Sequence, residues 1–187
     1  MKLQTQIPVS KVDNPIDYNG QMLLMGSCFS ENIGRKLEYF QFKSDQNPFG
    51  IAFHPKAIES MVERALEGEP YSEADIFYVN ERWQSFDTHS GLSNASKENL
   101  LINLNASLQR LRLRLEKSTH IILTPGTAWV YRHLNSGQIV ANCHKVPQHE
   151  FSKELLPIKT IIKSLERTIE LIQSVNKEVQ IIFTVSP

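Results

Sequence analysis

The chain has 187 residues, enough for one domain with a sizeable core and too few for two full ones. Its 20 basic residues balance 20 acidic ones, so no net field draws it to nucleic acid or to an anionic membrane surface, and neither is expected as a partner. The first twenty residues contain no apolar core of a secretion signal, and no stretch approaches the ~18 uncharged apolar residues of a membrane span. A cytoplasmic location is the expectation. Cys28 and Cys143 lie far apart without metal-ligand spacing, which suggests free thiols and no metal site.

In chain order, the apolar run QMLLMG at 21–26 reads as a buried parallel strand. Phe29, Ile33, Leu37 and Phe40 then mark one face of a helix over about 30–40, with Gly34 allowing close approach to a sheet. The polar stretch ending in Asn47-Pro48-Phe49-Gly50 reads as a loop, and Pro55 opens a helix over about 55–67. Residues 68–93 show no sustained period and read as an irregular excursion with at most short strands. Leu101, Leu104, Leu108, Leu111 and Leu115 define a helix over about 97–117. THIILTPG follows as a strand, and the next segment reads as a hairpin about Asn135-Ser136-Gly137. A helix over about 153–175 is predicted to bury Ile158, Ile161, Ile162, Leu165, Ile169 and Ile172, and VQIIFTVSP reads as a last strand.

Strands separated by amphipathic helices indicate parallel crossovers and a single three-layer α/β/α sandwich with a mainly parallel sheet, whose ligands lie beyond the carboxyl ends of the strands. Gly26-Ser27-Cys28, Thr124-Pro125-Gly126-Thr127 and Thr184-Val185-Ser186-Pro187 fall at those ends. A serine in a strand-to-helix turn presents its hydroxyl beside the backbone N–H groups of the helix start, which can hold a developing oxyanion. The same position also suits a serine that only caps the helix. Cys28 is a rival nucleophile, but no flanking cation is present to activate it.

Five motifs carry a resemblance over almost the whole chain from residue 21: Gly26-Ser27-Cys28-Phe29, Asn47-Pro48-Phe49-Gly50, Pro125-Gly126-Thr127-Ala128-Trp129, Asn142-Cys143-His144-Lys145-Val146-Pro147 and Thr184-Val185-Ser186-Pro187. Together they resemble the GSCFA family, which in turn is similar to the SGNH (GDSL-like) hydrolases. That resemblance implies a flavodoxin-like sheet and hydrolysis of an ester, an acyl group on a carbohydrate or a lipid-like molecule, without metal or organic cofactor. Ser27 would be the nucleophile, with its own N–H and that of Gly50 as oxyanion donors. The third SGNH block normally follows its glycine with an asparagine. Here Gly126 is followed by Thr127, so Thr127, Asn47 or Asn142 would complete the oxyanion site.

The SGNH pattern also has a late Asp and His after the last strand, and this chain ends at Pro187 without them. A serine needs an adjacent base. Either the 187 residues are a C-terminally truncated piece, which is the expectation, or an internal histidine serves. His144 is the internal candidate, as base or substrate ligand; a histidine that only ties down a loop fits equally. Asp87 and His89 are two apart and read as unrelated, and the other histidines as structural or exposed. The competing function is a binding or scaffolding module that keeps the pocket without the chemistry. The sequence does not give the oligomeric state.

Overall fold

The computed structural model describes residues 12–185. Ser186 and Pro187 of the last motif lie outside the described residues.

Four parallel strands form the central sheet: β1 (Gln21–Gly26), β2 (Lys43–Gln46), β5 (His120–Thr124) and β9 (Gln180–Phe183), in the order β2-β1-β5-β9. Because side chains alternate across a strand, the two faces divide the apolar run of β1. Leu23 and Met25 join Ile121 and Leu123 in a large core, whereas Met22 and Leu24 meet Ile122 in a smaller one. Helix α1 (Cys28–Tyr39) covers the small core through Ile33 and Leu37. Gly34 allows this approach, since a Cβ there would lie 2.9 Å from the Cβ of Gln46. Helices α2 (Pro55–Glu67), α3 (Lys97–Lys117) and α4 (Ile158–Val175) form the other layer. The expected α/β/α sandwich is the architecture found.

The excursion contains one short hairpin, β3 (Phe77–Val79) and β4 (Arg82–Gln84). Asn80 and Glu81 both take positive φ at its two-residue turn, as the twist of a tight hairpin requires. Tyr71 and Ile76 anchor the excursion in the large core. Between β5 and α4 stands a second, antiparallel sheet: β6 (Trp129–His133) is flanked by β7 (Ile139–Val140) and β8 (Phe151–Leu155).

Three expectations are corrected. The polar stretch before Asn47 is not all loop: Lys43–Gln46 is edge strand β2, paired to β1 from Gln21↔Lys43 to Leu24↔Gln46. Its one fully buried side chain is Asp45, neutralised by Arg110 and Arg114 of α3, so no apolar period marks it. The last helix begins at Ile158, and residues 151–155 pair with β6 instead. Finally, α4 is rotated from the face its isoleucines suggest. Ser164, Thr168 and Ile172 are buried, while Ile158 is 76% and Ile162 48% exposed. Small polar residues win that face because Ser164 donates a 2.5 Å hydrogen bond to Glu59 of α2, which a bulky isoleucine could not accommodate.

Candidate functional site

Gly26 and Thr124 are paired at the carboxyl ends of the two central strands, and the chain after β2 reaches the same place at Asn47. Gly26 has φ +135°, and a Cβ would lie 2.2 Å from the Thr124 carbonyl oxygen, so only glycine fits. Its N–H donates to Asn47 Oδ1 at 2.9 Å, and its carbonyl accepts from Ala52 N–H at 3.0 Å. Ser27 follows in extended conformation as the N-cap of α1, and its Oγ accepts from Phe29 N–H at 3.3 Å.

This turn differs from the expected one in three respects. Ser27 is 1% exposed, so its hydroxyl is not presented to solvent. Its N–H donates to the Thr124 carbonyl at 2.9 Å, and the Gly50 N–H donates to the Asn47 carbonyl at 2.7 Å. Both donors that the resemblance implied are therefore engaged within the fold. Asn47 offers a different donor. It is 9% exposed, its Oδ1 is held by Gly26, and its Nδ2 is buried without a partner among the described residues. A buried amide N–H group left unpaired is costly, which makes it a good donor to an incoming oxygen.

Sequence reasoning set His89 aside, and the structure brings it to this loop. Its N–H donates to the Phe49 carbonyl at 3.0 Å, and its ring packs so closely on Gly50 that a Cβ there would lie 2.4 Å from His89 Cβ. No hydrogen bond joins it to Asp87, which pairs with Arg64 at 3.3 Å. Only the lack of bulk at Gly50 hinted at this neighbour, and a glycine in sequence does not say what fills the space.

The other motif residues gather one loop away. Gly126 and Thr127 both donate their N–H groups to the Phe53 carbonyl, at 2.8 and 3.1 Å, and Thr127 Oγ1 accepts from Trp129 N–H at 3.0 Å. Asn142 accepts the His144 N–H at Oδ1, 2.8 Å. His144, in left-handed conformation and 4% exposed, donates from Nε2 to the Ser85 carbonyl at 2.6 Å. Its Nδ1 is buried without a hydrogen-bond partner among the described residues, and burial, opposed by the backbone of Ser85 and Thr88, holds its ring below the usual imidazole range. His144 is thus oriented by the Ser85 carbonyl, with its Nδ1 enclosed in the protein. None of its hydrogen bonds reaches Ser27.

Beside these residues a cavity of about 410 Å³ opens between the antiparallel sheet and the 53–54 segment. Phe53, Trp129, Tyr131, Val140 and Phe151 line it, with Thr127, Asn142 and Cys143. His54 also faces it, but is spent on structure: Nδ1 caps α2 at Ala57 N–H, and Nε2 donates to the Val140 carbonyl. Cys143 is half-buried, and desolvation pushes its thiol up, away from thiolate chemistry, while Cys28 is exposed at the start of α1. Ser27 does not line the cavity. The strip between them is short: Ala52 bonds Gly26, and the next residue, Phe53, is cavity wall.

The sequence profile of the GSCFA family matches residues 21–187, and the chain belongs to that family. No curated protein and no solved structure matches it. Among the described residues no helix is long and apolar enough to cross a membrane.

Proposed function

We propose that this chain is a serine-dependent ester hydrolase of the SGNH type, with Ser27 as nucleophile. The observation that carries the reading is the Gly26–Asn47 junction: Ser27 follows it at the carboxyl end of the central strand and at a helix N-terminus, and Asn47 brings to it an amide donor with no partner among the described residues. The Ser27 oxygen attacks the acyl carbonyl carbon, and Asn47 Nδ2 donates to the oxyanion. Collapse releases the alcohol, which leaves with the proton taken from Ser27; water then cleaves the acyl–serine bond. His144 is the candidate base, with Nε2–H held by the Ser85 carbonyl and Nδ1 without a hydrogen bond among the described residues.

The alternative, a binding module that retains the pocket, is favoured by the burial of Ser27 and by its hydroxyl's bond to Phe29 N–H. Hydrolysis of p-nitrophenyl acetate and butyrate separates the two. Turnover by the chain, lost in Ser27→Ala and retained in Cys28→Ser, supports the hydrolase. Equal rates for the chain and Ser27→Ala, with both folded, leave the binding module.

A further inference from the structure

We infer that the cavity between the antiparallel sheet and Phe53 binds a medium-length, unbranched acyl chain. The inference rests on the ester reading for the identity of the group, since the chain would be the acyl part of the ester whose carbonyl meets Ser27.

The walls select the class of ligand. The lining is aromatic and aliphatic, from Phe53, Trp129, Tyr131, Val140 and Phe151. Of the polar side chains that face it, His54 is fully engaged through both ring nitrogens, and Thr127 and Asn142 are engaged through their oxygens, which accept from Trp129 and His144, while Gln148 makes no side-chain hydrogen bond among the described residues. A sugar entering here would lose its water and regain few hydrogen bonds, whereas a hydrocarbon loses nothing on entry. The volume of about 410 Å³ holds at most roughly fourteen methylenes, taking each as about the size of a liquid water. The position fits as well: the backbone passes from the Gly26 contact at Ala52 to the cavity wall at Phe53 in one step, so a chain whose carbonyl sits at the turn extends past Phe53 into the cavity.

Two thiols make the test internal to one molecule. Cys143 lines the cavity and Cys28 is exposed on α1. The chain is alkylated with iodoacetamide in the presence of sodium octanoate, sodium butyrate or methyl glucoside, and each cysteine is followed by mass mapping. Octanoate is expected to slow Cys143 at least tenfold and leave Cys28 unchanged. Butyrate should need a concentration on the order of a hundredfold higher, since each buried methylene contributes about three- to fourfold. Val146→Trp, a substitution in the half-buried loop at the cavity rim, should weaken octanoate protection; if that variant fails to fold, the wild-type Cys143 profile decides alone. Ser27→Ala should keep full protection; ester hydrolysis that is absent from the wild-type chain, or equal in Ser27→Ala, with protection intact would overturn the ester reading and not the cavity's preference. Octanoate without effect on Cys143, equal protection of both cysteines, or stronger protection by methyl glucoside would overturn the inference.

Discussion

Gly26 and Asn47 are joined by a 2.9 Å hydrogen bond from backbone N–H to side-chain Oδ1, which ties the end of the central strand to the loop after the edge strand. Asn47 itself takes positive φ, where asparagine is tolerated far better than most residues. Asn47→Ala should therefore lose a buried hydrogen bond and gain backbone strain, costing about 2–3 kcal/mol. Urea denaturation reads this directly. A loss below about 0.5 kcal/mol, the range of neutral surface changes, would mean that the junction does not hold the turn.

Two glycines of positive φ should respond differently to the same substitution. Gly26→Ala drives a methyl into the Thr124 carbonyl, and is expected to cost about 3 kcal/mol or more. Gly137→Ala meets nothing within 4 Å and carries only conformational strain, about 1 kcal/mol. Thermal melts of the two variants, compared side by side, test whether close approach rather than backbone angle sets the requirement at Gly26.

Asp45 is buried on β2 between Arg110 and Arg114 of α3. Asp45→Asn leaves two guanidinium groups facing an uncharged amide. Because both arginines keep access to water, the loss should be about 2 kcal/mol, below that of a fully buried pair. Chemical denaturation at low and high salt checks this, with little salt dependence expected at so buried a carboxylate.

The acid limb of stability should belong to buried histidines. Burial lowers the pKa of both His54 and His144 in the folded chain. Below the ordinary value of 6.5 the unfolded chain takes up protons that the folded one refuses. Stability is therefore fully present above that value and falls as the pH drops toward the folded values. Each histidine should add a slope of about 1.4 kcal/mol per pH unit there. His54→Ser keeps a capping hydroxyl at α2 and should flatten the acid limb by one proton's worth. Denaturation midpoints between pH 7.5 and 5 provide the check; a slope unchanged in His54→Ser would contradict the assignment.

The central sheet was legible because β1, β5 and β9 are apolar runs with a helix period between them. The rest was hidden for physical reasons. Strand β2 is held by a charge network from α3 that acts across 65 residues of sequence, so Lys-Ser-Asp-Gln looks like loop. Strand β8 is half-exposed, and the one break between it and α4 is Pro157 at the helix N-cap, which the helix expectation from about residue 153 passed over. The isoleucines of α4 have the right spacing, but the face that packs is chosen by the Ser164–Glu59 bond, which hydropathy does not record. At the candidate site, the fold does join the first two motifs, through Gly26 and Asn47. Which of their N–H groups the fold itself consumes, and that His89 rests on Gly50, depended on three-dimensional register alone.

The central claim is that Ser27 is an activated nucleophile, and it is tested most directly by treating the folded chain with an alkyl fluorophosphonate and reading the intact mass. The account predicts one phosphonyl adduct, absent in Ser27→Ala and strongly slowed in His144→Gln. A folded wild-type chain that gains no adduct, or one that Ser27→Ala forms equally, would contradict it.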